Sequence, residues 1–229
     1  MSRGPFFSPG LFTYLKDLKR NNRREWFLAN KGRYEEEVKG PALRFIAEFE
    51  PHLRKISPEF IAIPRAVGGS LFRIQRDVRF SKDKSPYKTH VGIRFLHRDA
   101  KNVHAPIFYL HIEPGGSFAG LGVWHPEPAT LEQIRQAIVE GPGAYRKAAE
   151  SARLRKRFEM VGDSLQRPPR GYDPEHPLIE ELKRKDFVAS RRLDEKDIVR
   201  AGFDRRLAEA WRDGAGYVRF LCRALDVPF

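Results

Sequence analysis

The chain reads as an α+β fold, a mainly antiparallel sheet of about five to six strands flanked by N-terminal and C-terminal helices. Three observations predict it. Apolar residues recur at helical spacing through the first quarter, the period shortens to two between Phe60 and Trp124, and helical spacing then returns to the C-terminus. Strands gathered into one block argue against an alternating βαβ fold. The connection Pro114-Gly-Gly-Ser117 is a hairpin signal, which makes its flanking strands antiparallel neighbours.

Element by element, Ser8-Pro9 reads as an N-cap with Pro at the first helical position, followed by Leu11, Phe12, Leu15 and Leu18 on one helix face. Asn21-Asn22 ends that helix and opens the next, through Trp26, Phe27 and Tyr34 towards Val38. Trp26 is expected to pack in the core, since Phe27 and Tyr34 surround it at helical spacing. Gly40-Pro41 is expected to break the pattern before Leu43, Phe45, Ile46 and Phe49 resume it. Extended chain is expected at Phe60–Val67, Leu71–Asp77, Val91–Leu96, Ile107–Ile112 and Phe118–Trp124. Helices follow at Leu131–Val139 and Tyr145–Phe158, then a proline-rich loop, a short helix at Leu178–Lys183 and a strand at Phe187–Arg192. A long amphipathic helix through Leu207, Trp211, Val218, Phe220 and Leu221 closes the chain. Residues 1–229 read as a single domain, within which residues from about 128 onward can form a helical lobe on the sheet.

The 229 residues carry a formal net charge of +13, which points to polyanions, phosphorylated metabolites or acidic membrane surfaces as partners. Cys222 is the only cysteine, so an intrachain disulfide is excluded; its apolar helical setting marks a buried thiol. No apolar run approaches a membrane span and the N-terminus lacks a signal-peptide core, so a cytoplasmic protein without membrane attachment is expected. GxxxxGK[ST], GxGxxG, GxSxG and HExxH are all missing, which removes the commonest nucleotide-binding, hydrolase and zincin templates.

One segment stands out. Between Arg73 and Lys88, six cations (Arg73, Arg76, Arg79, Lys82, Lys84, Lys88) face two carboxylates, Asp77 and Asp83, with apolar Ile74, Val78 and Phe80 threaded among them. Read as a strand, Leu71–Asp77 sends Phe72 and Ile74 to the core and Arg73 to the open face. Arg79, Lys82, Lys84 and Lys88 then converge on one anion at a loop, with Tyr87 and His90 orienting it. The competing reading is a solvated face whose arginines pair with acids such as Glu35, Glu36 and Glu37.

His111 and Glu113 lie two apart on a strand and share a face, which suits a general base and its orienter. They also suit two ligands of a metal, but no spacing supplies the further ligands, and no metal is assigned. A third cluster, Arg167-Pro-Pro-Arg-Gly-Tyr-Asp-Pro-Glu-His-Pro177, is a stiff loop that either holds Arg170 over a cleft or merely connects.

Together these blocks resemble the family catalogued as domain of unknown function 2461. The resemblance rests on Phe12–Leu18, Asn21–Phe27, Lys31 with Tyr34, Gly69-Ser70 with Phe72-Arg73-Ile74, Arg76–His90, Gly120–Gly122 with Pro126, and Pro169–Asp173 with His176-Pro177. Trp124 stands where a smaller aromatic is expected. The resemblance implies one full-length α+β domain in a soluble cellular protein, and it brings no established reaction, cofactor or catalytic residue.

The residues themselves lead to an electropositive cleft for a phosphate-bearing ligand, a nucleotide-like small molecule or a nucleic acid. Cations gathered in one concavity beside a perturbed histidine favour an enzyme. A broad stripe extending to Arg153, Arg155, Lys156, Arg157, Arg191 and Arg192 favours a non-catalytic nucleic-acid module instead, and a protein-interaction role stands third.

Overall fold

The structure is a computed structural model that describes residues 4–100 and 104–229. Helices α1 (Pro9–Arg20), α2 (Arg24–Ala29) and α3 (Lys31–Tyr34) lead through a π turn, Glu35–Lys39, into α4 (Gly40–Ile56). Strands β1 (Phe60–Ile61), β2 (Val91–His97), β3 (Ile107–Ile112) and β4 (Phe118–Val123) follow, then α5 (Pro128–Glu140), α6 (Pro142–Ala149) and α7 (Ala152–Arg157). The chain closes with β5 (Glu159–Val161), α8 (Ile179–Leu182), β6 (Phe187–Arg192), α9 (Glu195–Ile198) and α10 (Phe203–Ala224). The six strands form one wholly antiparallel sheet in the order β1-β2-β3-β4-β6-β5, an α+β fold.

Local chemistry explains most boundaries. The Ser8 hydroxyl accepts from the Gly10 N–H at 3.1 Å and Pro9 opens α1, while Lys19 and Arg20 sit at its negative C-terminal end. Between β3 and β4 the Gly116 N–H donates to the Glu113 carbonyl at 3.1 Å, with Pro114 and Gly115 (φ +74°) in the middle of the turn. Gly115 takes the left-handed position that a type II turn demands after proline.

Gly40-Pro41 does not break the helix. The chain stays helical from Lys31 to Ile56 because the Gly40 N–H reaches back to the Glu35 carbonyl, a wider π turn, and Pro41 then falls in the first turn of α4. The expected helix Tyr145–Phe158 is two, α6 and α7, because the Ser151 hydroxyl caps a fresh start by accepting from the Leu154 N–H at 3.3 Å. Of the extended chain expected at Phe60–Val67, only Phe60–Ile61 pairs as strand.

The core lies between the sheet and α4 and α10. Phe49 stacks on Phe95 (centroids 5.2 Å apart), and Trp211, fully buried, meets Phe49, Phe95 and Phe108 within 5.7 Å. Leu110, Ile112, Leu121 and Ala189 point the same way, so one sheet face is helix-covered. Cys222 is buried in α10, and burial pushes its thiol up to about 12. Among the described residues, no helix is long and apolar enough to cross a membrane.

Candidate functional site

Strand register fixes what the other face carries. Gly92, His111, Phe118 and Arg192 form one row across β2, β3, β4 and β6; Arg94, Tyr109, Gly120, Ser190 and Glu159 form the next. This face is polar and only partly buried, and glycine or serine at three of these positions leaves room above the sheet. An open cleft of about 390 Å³ occupies part of it, walled by Phe118, Ser190, Arg192, Glu159 and the β3–β4 turn.

On β3, Tyr109, His111 and Glu113 alternate onto this face and join in one line. The Tyr109 hydroxyl lies 3.1 Å from His111 Nδ1, and His111 Nε2 lies 3.2 Å from Glu113 Oε2. A carboxylate only accepts, so in the neutral ring Nε2–H donates to Glu113 and Nδ1 accepts from Tyr109. Glu113 also receives the Thr89 hydroxyl at 3.5 Å, and Ser117 Oγ pins the Glu113 backbone at 2.8 and 3.0 Å. Burial, then the nearby Glu113 charge, pushes Tyr109 up to about 12, so its hydroxyl keeps its proton at neutral pH.

His111 is held from both sides. Its ring stacks on Phe118 (4.8 Å, 13°) and on the other side meets His90 at 4.3 Å. Burial first, and the adjacent His111 second, push His90 down to about 4. Two imidazoles in contact, one held neutral by desolvation, mark the point on this face most poised for proton chemistry.

Cations flank the pair. Phe72 lies across the face beside Gly92, where a Cβ would meet the Phe72 ring at 2.7 Å and the Tyr109 hydroxyl at 3.0 Å; only glycine fits. The Arg94 guanidinium sits 4.8 Å from the Phe72 centroid and the Lys88 ammonium 5.2 Å from it. Burial, with Arg73 and Arg94 nearby, lowers the Lys88 pKa. This corrects the strand reading of Leu71–Asp77. After the Phe72 N–H donates to the Gly92 carbonyl the chain bends off β2, so Leu71 and Ile74 enter the core and Phe72 covers the site.

From there, residues 74–76 and 86–88 form a two-stranded ribbon, the Arg76 N–H donating to the Pro86 carbonyl at 2.9 Å and the Lys88 N–H to the Ile74 carbonyl at 2.8 Å. Residues 77–85 are its tip. The expected cations spread along this ribbon rather than meeting at one point. Arg76 pairs with Asp83, Arg79 grips Asp77 through two nitrogens (3.0 and 2.7 Å), and Lys84 donates to the Val78 carbonyl at 3.0 Å. The Ser85 hydrogen bonds and Arg76 hold the Asp83 carboxyl well below its usual range. Lys88 reaches back to the Arg73 carbonyl at 2.8 Å, while Arg73 and Lys82 have no side-chain bond among the described residues. Glu35 and Glu37 are engaged elsewhere, with Lys39 and Ser8.

At the ribbon's foot Tyr87 is buried and stacks on Phe27 at 4.2 Å, so it fastens the ribbon instead of facing an anion. Trp26 packs partly buried against Tyr14 at 5.7 Å. Arg170 is not brought to this face: its loop is tied to α5 and α6 through Tyr172–Glu132 (2.8 Å) and Arg146–Pro177 (3.5 Å). The stripe through Arg153, Arg155, Lys156 and Arg157 lies on α7 against α10, with Arg157 on Asp213, apart from Arg192 on the open face. Among the described residues, no three His, Cys, Asp or Glu side chains gather as a metal set.

Arg94, Tyr109, Phe118, Ser190 and Glu159 complete the site without having been singled out in the sequence, and Phe72, expected in the core, joins them. Tyr109 was within reach, since residues 109, 111 and 113 share one strand face. The others depend on pairing between distant strands.

An antiparallel sheet with helices packed on one face and a Tyr–His–Glu line between cations on the other defines a class: α+β proteins with a polar sheet-face site. The sequence profile of the conserved hypothetical protein family DUF2461 matches residues 10–220, and the chain belongs to that family. No curated protein and no solved structure matches it.

Proposed function

We propose that the open sheet face binds a phosphate-bearing ligand and performs proton transfer on it. The observation that carries this reading is the Tyr109–His111–Glu113 line, stacked against a histidine depressed to about 4 and flanked by Lys88 and Arg94. Lys88 and Arg94 supply charge for the phosphate, Arg as a two-pronged donor and Lys as a point charge. His90 turns a neutral ring towards the same space, and an anion bound there favours its protonation.

The line has a direction. A proton released by the ligand passes to the Tyr109 oxygen as the Tyr109 proton moves to His111 Nδ1. Glu113 then stabilises the imidazolium through Nε2–H, so no free tyrosinate forms. The reverse transfer returns the proton to product. The working setting is the cytoplasm, where a buried thiol such as Cys222 stays reduced.

Nuclear magnetic resonance of ring-labelled histidines, titrated with inorganic phosphate, adenosine monophosphate and a hexose phosphate, tests the reading. At least one ligand is expected to shift the His90 and His111 signals saturably, and Arg94→Ala to abolish that shift. Rings unmoved by all three at millimolar concentration would overturn it.

A further inference from the structure

We infer that the ribbon tip is a docking element for single-stranded nucleic acid, with Phe80 as the platform on which an unpaired base stacks. The inference rests on the open-face reading in one respect: it makes the phosphate-bearing ligand of that face a nucleotide unit within a strand.

Phe80 is 95% exposed, the most exposed large apolar side chain described, and it stands among cations at the end of a projecting ribbon. A lone exposed ring is ordinary on a protein surface, but one set among cations has the make-up of a base-stacking platform. Its position is not slack. Arg79 is locked on Asp77, Arg76 on Asp83 and Lys84 on the Val78 carbonyl, so the tip is braced by its own ion pairs. The Arg79 guanidinium lies 5.8 Å from the Phe80 centroid, within reach of a cation–π contact, and at 95% exposure the ring stays open to a flat partner.

The charge has a matching direction. Six cations against two carboxylates leave +4 between Arg73 and Lys88, running from Lys82 and Lys84 at the tip to Arg73 and Lys88 at the foot. The foot continues into His90, which touches His111. A strand whose backbone follows these cations therefore leads from Phe80 to the proton-transfer line. Single strands are bound in this way, by cations tracking phosphates and aromatic rings stacking bases. A duplex keeps its bases from the ring. A membrane surface calls for a broad apolar face, whereas Val78 is half-buried and Phe80 stands alone.

The test is fluorescence anisotropy of short labelled single strands, DNA and RNA, against the full chain at low and physiological salt, with a duplex and phosphatidylserine vesicles as controls. Micromolar binding to a single strand is expected, weakened about five- to hundredfold by Phe80→Ala and kept by Phe80→Trp. Replacing Lys82 and Lys84 together by Ala is expected to flatten the logarithmic salt slope by about 1.4. The inference fails if Phe80→Ala binds as wild type, if single strand and duplex lose equally, or if Phe80 matters to vesicles alone. Its failure is separable from that of the open-face reading. Absence of strand binding by the wild-type chain with the His90 shift intact rejects the ribbon role alone, and strand binding with unmoved histidines rejects the proton-transfer role alone.

Discussion

The side-chain amide of Asn22 pairs with both backbone polar groups of Tyr87, its Nδ2 donating to the carbonyl at 2.8 Å and its Oδ1 accepting the N–H at 3.0 Å. An asparagine between α1 and α2 thus acts as one more rung for the ribbon, sixty-five residues away in sequence. The ring of Tyr87 meanwhile lies on Phe27, in the helix that Asn22 precedes. The N-terminal helices therefore set where the ribbon leaves the sheet. Asn22→Ala strands a donor and an acceptor in a partly buried setting, which costs about 1–3 kcal/mol. The expected outcome is a lower denaturant midpoint together with faster amide exchange in residues 74–76 and 86–88. Unchanged exchange there would separate Asn22 from the ribbon.

Ile74 and Phe72 are two apart in sequence yet serve different ends. Ile74 is 7% exposed and joins the core, so Ile74→Ala is expected to cost about 2–5 kcal/mol. Phe72 covers Gly92 and carries the two flanking cations, so Phe72→Ala is expected to cost less stability while weakening phosphate binding. Chemical denaturation of both variants, with phosphate titration of the second, checks the contrast. Equal losses of stability would return Phe72 to the core.

The same pair shows how far sequence carries this fold. Strands β2 and β3 announce themselves because each sustains alternation or a long apolar run, β6 shows only the short apolar start Phe187-Val-Ala189, and Ser8-Pro9 and Pro114-Gly115 are local chemistry that tertiary contacts have no reason to override. Leu71–Asp77 also alternates, but it pairs with β2 only up to Phe72, and no local signal marks the bend that follows. Strand β5, three residues long, is too short to display a period. At the site, His111 and Glu113 share a face by simple arithmetic. Arg94, Phe118 and Ser190 reach it only through register between strands. The cations of residues 73–88 were legible as a cluster, but their spread along a ribbon depends on which of them Asp77 and Asp83 capture.

His90 makes stability depend on pH. In the folded chain its ring stays neutral down to about pH 4, whereas an unfolded histidine takes up its proton near its ordinary 6.5. Between these values the unfolded chain binds more protons, so stability falls as pH drops through that window and is fully present above it. The slope due to this one group is at most about 1.4 kcal/mol per pH unit. Comparing His90→Asn with wild type by thermal denaturation across the window is expected to show a shallower acid slope in the variant. Parallel curves would place the acid sensitivity elsewhere.

The hydrogen bonds of His111 fix where its proton sits. With Glu113 at one nitrogen and the Tyr109 hydroxyl at the other, the neutral ring is expected to carry its proton on Nε2. Nitrogen chemical shifts distinguish the two tautomers directly, at a pH where the ring is neutral. Tyr109→Phe removes the donor to Nδ1 but leaves the Glu113 bond, so the tautomer is expected to persist, at a cost near 1 kcal/mol for one hydrogen bond. Glu113→Gln replaces an obligate acceptor with a group that also donates, so the preference is expected to weaken. A ring protonated on Nδ1 in the wild-type protein would reverse the line. The Tyr109 oxygen would then accept from His111, and the route by which Tyr109 passes its proton to the ring would be closed.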